Sequence, residues 1–553
     1  MPGSNGRVTA DALSPSYHEP GRHGDLLRCR QCGAVEQPSL PAGVDLHGLY
    51  RDMRDDSYLS EEVGRRATAA RLLDLVAEHA PSGRLLDVGC GFGLLLDEAR
   101  SRGYETLGIE LSRDAAAHAR GALGLDVREI PLEEVDDPDG FDVVTLVDVL
   151  EHLDDPVGGI ARCAELLRPG GVLCVATPDP SSLSARLAGS RWWGYVPAHT
   201  CLLPRRTLRE LLGAQGLVVS TDVPLVRTFA LRRWVSGLAE RAGPLQEPIE
   251  ALARRLPPRA SLSLSLGDER VVLARRVEVR DAPEPLMTPR DAPANVHVVL
   301  PAYRAVRTIP AVVEQMPGDV ADRALLVDDA SPDATSDVAL AHGLDVLRHP
   351  VNLGYGASQK TGYVRALLDG ADVVVMVHAD NQYDPALVPQ ILEPILAGEA
   401  DMVIGSRLLE DHAIAGGMPR WKWLGNRLLT RLENAAFGVR FSEYHTGYRA
   451  FSAEFLRSIA FLRNSDRFVF DQEVFAQAVA HGARVAEIPI PTRYFGEASS
   501  VNLATSIRYG LETLGVLGRF LADRRGRSWT LLRDPATRQP APAERTTSRQ
   551  PAA

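Results

Sequence analysis

The sequence predicts an α/β protein built as two doubly wound domains in tandem, and three observations predict it. An apolar run, Arg84-Leu85-Leu86-Asp87-Val88, feeds a glycine loop at 89–93 and then a leucine-rich helix. A second series of apolar runs, beginning at Val296, ends repeatedly in polar ligand-type side chains, at Asp328-Asp329 and at His378-Ala379-Asp380. Between the two series lies a run with prolines at 283, 285, 289 and 293. Short apolar strands alternating with helical patterns indicate parallel sheets covered by helices on both faces. A chain of 553 residues also exceeds a single core, since domains run to roughly 250 residues.

Composition is that of a globular protein, 45% hydrophobic and 24% charged, with a net charge of −11. Such an acidic chain is expected to bind no nucleic acid. Lysine stands only at 360 and 422, so arginine makes up nearly all of the 61 basic residues, a bias that suggests a high-GC bacterial genome. The six cysteines, at 29, 32, 90, 163, 174 and 201, are too few and too scattered for a disulfide framework. The N-terminus lacks an apolar signal core, and no window reaches the roughly 18 apolar residues of a spanning helix. A cytoplasmic protein is expected, with any membrane contact peripheral and at the inner face.

Residues 1–55 read as an irregular segment with one pair, Cys29-Arg30-Gln31-Cys32-Gly33. The pair looks like half of a zinc ribbon, but a closed site needs four ligands and no second CxxC exists. His18 and His23 are the candidates to complete it, and a degenerate ribbon or two free thiols is the alternative. A first domain is expected over 56–278. Its opening helix runs from Ser60 to Ala80 and is broken by Pro81-Ser82-Gly83. Glycines at 89, 91 and 93 then let the backbone approach a ligand in front of a helix N-terminus. Tyr104 to Glu110 reads as a second strand ending in an acid that can accept hydrogen bonds from two ribose hydroxyls. Phe141 to Leu153 reads as a fourth strand with its exit loop, Asp148-Val149-Leu150-Glu151-His152, and Leu166 to Leu173 as a helix end, a turn and a fifth strand.

In this order and spacing, residues 60–278 resemble the class I S-adenosylmethionine-dependent methyltransferases, which implies a Rossmann-like fold and S-adenosylmethionine as cofactor. The resemblance makes Gly89, Gly91 and Gly93 the cradle for the methionine part, with Asp87 bracing the loop and Glu110 on the ribose. Asp148 and His152 fall where the fourth strand opens onto the methyl-transfer site. His152 is a candidate base because an imidazole titrates near neutrality, and packing against the following helix is its alternative role. His199 is a second candidate. A longer helical insertion at about 229–256, including Trp234, is expected to carry acceptor specificity.

The run 279–294 is expected to be a semi-rigid linker, and 295–523 a second domain. Here Val296 to Tyr303 is a first strand, Ala324 to Asp329 a strand delivering a carboxylate pair, and Asn352 to Gly362 a loop entering a helix. Asp372 to Val377 is a strand buried on both faces that ends in His378-Ala379-Asp380-Asn381-Gln382. Such side chains, beyond the carboxyl end of a strand in an open sheet, are placed to hold a cation against a diphosphate.

The order resembles the family-2 glycosyltransferases of GT-A fold, especially those similar to polyprenyl-phosphate sugar synthases. That resemblance implies a nucleotide-sugar donor held around Pro301, Tyr303, Asp328 and Asp329, and a divalent metal, Mg²⁺ or Mn²⁺, on His378, Asp380 and Gln382. His378 departs from the aspartate usual at its position. Asp380 is the leading catalytic residue, and Asp471 stands where some members keep a base for a hydroxyl acceptor. Arg407, Arg449 and Arg493 fall in the acceptor-side segments, where a guanidinium can fork onto phosphate oxygens. A lipid-phosphate or glycan acceptor follows.

Ile507, Leu511, Leu514, Leu517 and Leu521 recur at helical spacing, the pattern of a core helix or of one lying on a membrane surface. Residues 524–553 read as a disordered basic tail. Two functions stay open at this point: a bifunctional transferase, or a glycosyltransferase whose methyltransferase-like half is an inactive binding scaffold.

Overall fold

A computed structural model describes residues 23–37, 46–55, 58–230, 261–287, 294–409, 420–491 and 503–533, with a few isolated positions between them. The expected helical insertion with Trp234, His18, Arg493 and the tail beyond 533 lie outside the described residues. The chain divides into two units, Met1–Arg276 and Val277–Ala553.

In the first unit, β1 (Leu27–Arg28) and β2 (Val35–Glu36) form a hairpin around the cysteine pair. The main sheet is built from β3 (Arg84–Val88), β4 (Glu105–Ile109), β5 (Val127–Arg128), β6 (Phe141–Val147) and β7 (Leu167–Pro178). A short β8 (Cys201–Leu202) pairs with β2, and β9 (Leu217–Pro224) returns to the main sheet. Next, β10 (Arg227–Ala230) pairs with β11 (Ser261–Leu264) and brackets the insertion, before β12 (Glu269–Arg276) closes the unit. The spatial order is β5-β4-β3-β6-β7-β12-β9. Only β12 runs antiparallel to its neighbours. Alternation along β3 builds a core on each face: Leu86 and Val88 enter one cluster, and Leu85 enters the other. The helices on these faces are capped locally, as where the Ser112 hydroxyl accepts from Ala115 N ahead of the helix Arg113–Leu123.

The second unit opens with β13 (Val279–Arg280), followed by β14 (Val296–Ala302), β15 (Arg323–Asp328), β16 (Asp345–Arg348), β17 (Val373–Met376), β18 (Met402–Ser406), β19 (Arg449–Ser452) and β20 (Val485–Pro489). Their order is β13-β16-β15-β14-β17-β19-β18-β20. The sheet is parallel from β16 to β17 and turns antiparallel at β19. Val299 packs into the cluster on one face, while Val296, Val298 and Leu300 enter the cluster on the other. Each fully buried Val or Leu of this kind is worth about 1.5–3 kcal/mol.

The expected linker differs over its described part. Residues 279–280 are a sheet edge paired with β16, Ala282 N donates to Asp345 Oδ1 at 2.9 Å, and Leu286 N donates to Gly343 O at 2.7 Å. Prolines spaced two and four apart leave the intervening N–H groups free to bond, so residues 279–287 dress the second unit. Its closing helix, Leu503–Arg524, also divides the expected stripe: Leu517 is in the core with Val516 and Phe520, whereas Ile507, Leu511 and Leu514 are exposed.

Candidate active sites

The glycine loop after β3 takes the shape its residues require. Gly89, Gly91 and Gly93 have φ of 65°, 54° and 83°, a region that L side chains rarely enter. A Cβ at Gly89 would come within 2.6 Å of Val149, and one at Gly93 within 2.6 Å of Leu125. At Gly91 the nearest atom is the Tyr58 hydroxyl, 3.5 Å away, an ordinary contact, so the constraint there is the positive φ and not crowding. Glu110 lies behind the loop and is buried; it accepts from Gly91 N at 2.8 Å and from Ser112 N at 2.7 Å. Burial raises its pKa against those two bonds. Asp87 braces something other than the loop: its carboxylate accepts from Thr145 Oγ1 of β6 at 2.6 Å, because the two residues are paired across β3 and β6 and leave the sheet on the same face.

Asp148 follows β6 with φ 56° and accepts from Arg227 at 2.6 Å. Burial would raise its pKa; the Arg227 guanidinium overcomes that and holds it low. Arg227 also binds Glu269 at 2.6 Å. Two further residues stand beside the loop. Tyr58 stacks on Phe92 with centroids 4.7 Å apart, and Arg65 lies 3.8 Å over the Tyr58 ring with a buried Nε that has no hydrogen-bond partner. A glycine loop beside a buried acid, Glu110, and an arginine whose Nε lacks a hydrogen-bond partner fits a ligand that carries ribose hydroxyls and a carboxylate. Tyr58, Arg65 and Arg227 are invisible to motif reading, since nothing local in sequence ties them to residues 87–93.

His152 and His199 come together, with ring centroids 4.8 Å apart. Burial pushes His152 down to about 4, against the pull of the Ala198 carbonyl and Asp148. Burial, helped by His152, pushes His199 down to about 3. Both imidazoles are therefore neutral near pH 7, and as free bases they are weak. Beside them Glu151 is buried and accepts from Thr177 Oγ1 at 2.9 Å.

In the second unit, Asp328 is fully buried and accepts from Ser331 N at 2.9 Å and from Ser336 Oγ; it shapes the turn instead of facing an open pocket. Asp329 gathers Leu353 N, Gly354 N and His349 Nδ1, each at 2.8 Å. Burial would raise its pKa, and these donors hold it low. Asp329 thus fastens the 352–354 loop to the end of β15. Pro301 is half-buried and Tyr303 exposed at the end of β14.

The turn after β17 holds His378 Nδ1 3.9 Å from Asp380 Oδ1. Asp380 accepts from Gln382 N at 3.1 Å, which closes the turn, and Gln382 is half-buried beside it. His378 is wedged between Tyr355, whose hydroxyl is 3.1 Å from Nε2, and Gly447, where a Cβ would stand 1.9 Å from the same atom. Tyr355, first residue of the helix Tyr355–Leu368, also reaches Asp471 Oδ2 at 3.4 Å. Asp471 lies in the first turn of the helix Phe470–Ala480 and is held by Gln359 at 3.1 Å and by Arg449 at 2.9 Å. His378, Asp380, Tyr355 and Asp471 therefore share one site.

The acceptor-side arginines are placed differently from the expectation. Arg407 is buried and binds Glu443 through both its backbone N, at 2.8 Å, and its Nε, at 2.9 Å. Arg449, from β19, is fully buried against Asp471. Arg407 is spent on holding its loop, and Arg449 is ion-paired to Asp471 with its Nε and Nη1 making no hydrogen bond, because a charge inside the core requires a fixed partner. Of the two candidates to complete the cysteine pair, His23 spends both ring nitrogens on Gly24 O and Ser190 O, and His18 lies outside the described residues. Among the described residues, only Glu151, His152 and His199 bring three metal-type ligands together.

Comparison with known proteins divides the chain as the fold does. A profile described as "Methyltransferase domain" matches residues 60–221, and one described as "Glycosyl transferase family 2" matches residues 297–460. An uncharacterised protein of Methanocaldococcus jannaschii is 31% identical over 216 residues, 39% of this chain and 88% of the relative. The undecaprenyl-phosphate mannosyltransferase of Micrococcus luteus is 30% identical over 210 residues, 35% of this chain and 82% of the relative. A ubiquinone biosynthesis O-methyltransferase of Alkalilimnicola ehrlichii is 40% identical over 118 residues, 20% of this chain, and the match spans 48% of that enzyme's length.

Proposed function

Because the chain belongs to glycosyltransferase family 2 through its second unit and carries a methyltransferase domain in its first, we propose that it is a bifunctional enzyme. In this reading the second unit moves a sugar from a nucleotide donor to a lipid-phosphate or glycan acceptor. The first methylates a substrate of the same glycan or glycolipid pathway with S-adenosylmethionine.

The observation that carries the second activity is the convergence of Tyr355 and Asp471, from two helices, on the His378–Asp380 turn. His378, Asp380 and Gln382 would hold Mg²⁺ or Mn²⁺. When bound there, the cation supplies charge stabilisation to the departing nucleoside diphosphate. Tyr303 offers an exposed ring to the base, and Asp329 keeps the 352–354 loop in place behind the donor. Asp471 keeps Oδ2 turned to Tyr355 while Arg449 and Gln359 occupy Oδ1. That oxygen can take the proton of a hydroxyl acceptor; an acceptor phosphate is already an anion and needs no base.

A lipid-phosphate acceptor is supported by two helices that pack on each other through Phe437 and Phe520, 4.9 Å apart. The helix Arg420–Phe437 leaves Leu424, Leu428 and Leu432 exposed, and its neighbour leaves Ile507, Leu511 and Leu514 exposed. Six aliphatics on one helix pair suit contact with a membrane surface, and no helix among the described residues is long and apolar enough to cross one.

In the first unit, Gly89, Gly91 and Gly93 would seat S-adenosylmethionine, Glu110 would take the ribose hydroxyls in place of its backbone donors, and Arg65 would pair with the cofactor's carboxylate. The experiment is incubation of the full chain with nucleotide sugars, polyprenyl phosphate and Mg²⁺ or Mn²⁺. Sugar transfer that disappears in Asp380→Ala is expected; transfer that survives the substitution, or none with any donor, rejects the reading. Calorimetric titration of S-adenosylmethionine, with Glu110→Ala as control, tests the first unit.

A further inference from the structure

We propose that the first unit binds a transition-series divalent cation through Glu151, His152 and His199, at the end of β6 where the methyl acceptor is expected. One ligand atom from each of the three lies within 4.8 Å of those of the others. The site joins two segments 47 residues apart in sequence, and the backbone ties them before any ion arrives. Thr200 N donates to Glu151 O at 2.9 Å, and Thr200 Oγ1 donates to Leu153 O at 3.0 Å. From the other side, Gln37 Nε2 clamps the His199 loop through Val196 O at 2.6 Å and His199 O at 2.7 Å.

The hydrogen bonds around the rings decide which atoms are offered. His152 Nδ1 lies 3.0 Å from Ala198 O, with the Tyr50 hydroxyl at 2.8 Å. His199 Nδ1 lies 2.7 Å from Gly194 O. A carbonyl only accepts, so in the tautomer that satisfies both carbonyls each Nδ1 carries the proton and each Nε2 keeps its lone pair. This is the arrangement in which backbone carbonyls orient metal-ligating imidazoles. Among the described residues neither Nε2 has a hydrogen-bond partner. Glu151 spends Oε2 on Thr177 and leaves Oε1 as the third donor. The two rings stand nearly perpendicular, at 78°, beside the Glu151 carboxyl. The neighbouring guanidinium does not compete for it, since Arg227 is held by Asp148 and Glu269.

Two imidazoles and one carboxylate select a borderline ion such as Zn²⁺, Mn²⁺, Fe²⁺ or Co²⁺ over Mg²⁺ or Ca²⁺, and three protein ligands leave positions open for a substrate oxygen. The proposal rests on the methyltransferase reading only for its use. A hydroxyl acceptor bound there loses its proton to solvent. The methyl then passes to that oxygen, its bond to the sulfonium sulfur breaking as the C–O bond forms and leaving a neutral thioether. His152 is then a ligand and not the base.

The test uses the full chain carrying Asp380→Ala, which removes the cation ligand expected in the second unit. The protein is stripped with a chelator and dialysed against Mn²⁺ or Co²⁺. One ion per chain is expected, with imidazole and carboxylate absorption for Co²⁺. His199→Gln and Glu151→Gln should each weaken binding at least about 10-fold, while S-adenosylmethionine affinity reports that each variant is folded. A chain that binds no ion, binds it equally in both variants, or gives a thiolate-to-Co²⁺ band that puts the ion at Cys29 and Cys32, overturns the assignment. Ion binding is read without methyl transfer, so the outcome is separate from whether the first unit is active.

Discussion

Gly447 owes its identity to what stands over it. A Cβ there would lie 1.9 Å from His378 Nε2, a distance no side-chain contact tolerates, and the ring cannot retreat because Tyr355 and Tyr383 flank it. Gly447→Ala should therefore push His378 off Asp380. The expected outcome is loss of most metal-dependent sugar transfer with S-adenosylmethionine affinity unchanged, measured on the same preparation. Arg449 makes the complementary case. It is wholly buried and ion-paired to Asp471, so Arg449→Met strands a carboxylate and should cost about 3–5 kcal/mol, read by chemical denaturation. Adding Asp471→Asn should restore part of that loss, which a simple packing defect would not show. Sequence reading found Asp471, Arg449 and His378 as separate members of motifs. It could not see that Arg449 is Asp471's partner and not an acceptor ligand, because a guanidinium in a motif looks the same whether it faces the core or the solvent.

At the scale of elements, the strand ends were legible and the loops between them less so. An apolar run stopping at Asp87, Glu110 or Asp329 announces both a strand and the edge where its polar end emerges, since period-two burial fixes which side chains enter the core. The direction of an acid within its strand is not announced. Asp87 leaves β3 on the face it shares with its pairing partner Thr145 of β6, and its charge is felt by Glu110, just beyond β4, and by the thiols of Cys90 and Cys174. Burial pushes its pKa up to about 7, with the Thr145 hydroxyl opposing and Glu110 adding. An unfolded aspartate titrates near about 3.9. The folded value is the higher one, so Asp87's contribution is fully present below about pH 4 and is lost as pH rises towards 7, by about 1.4 kcal/mol for each unit traversed. Asp87→Asn should flatten that part of the first unit's stability profile between pH 5 and 7, followed by thermal unfolding across the range. A slope identical to that of the parent chain would place the titration elsewhere. The helix Leu503–Arg524 teaches the same lesson from the outside. Its aliphatic spacing is regular, yet the core takes Val516, Leu517 and Phe520 while Ile507, Leu511 and Leu514 remain exposed. Periodicity gives the existence of a stripe and leaves open which part of it finds a partner. Leu428→Glu with Leu511→Glu should abolish sedimentation with anionic lipid vesicles and leave transfer to a water-soluble short-chain acceptor within about two-fold, because neither residue reaches the His378 turn.

At the scale of the whole molecule, each unit has its own two-faced sheet and its own clusters of buried residues, so ligands of one should stabilise that one. A ligand at about 100 times its Kd adds about 2.7 kcal/mol to the state that binds it. In calorimetry of the full chain, S-adenosylmethionine is expected to raise one unfolding transition, and a nucleoside diphosphate with Mn²⁺ to raise another. Asp380→Ala should erase only the second shift, and Glu110→Ala only the first. A single transition moved by either ligand would instead mean that the two units unfold as one cooperative block. The residues 279–287 make this test informative, because they belong to the β16 edge of the second unit and not to a free tether. What remains to join the units covalently is then short: Arg276 closes β12 and Val279 already opens β13.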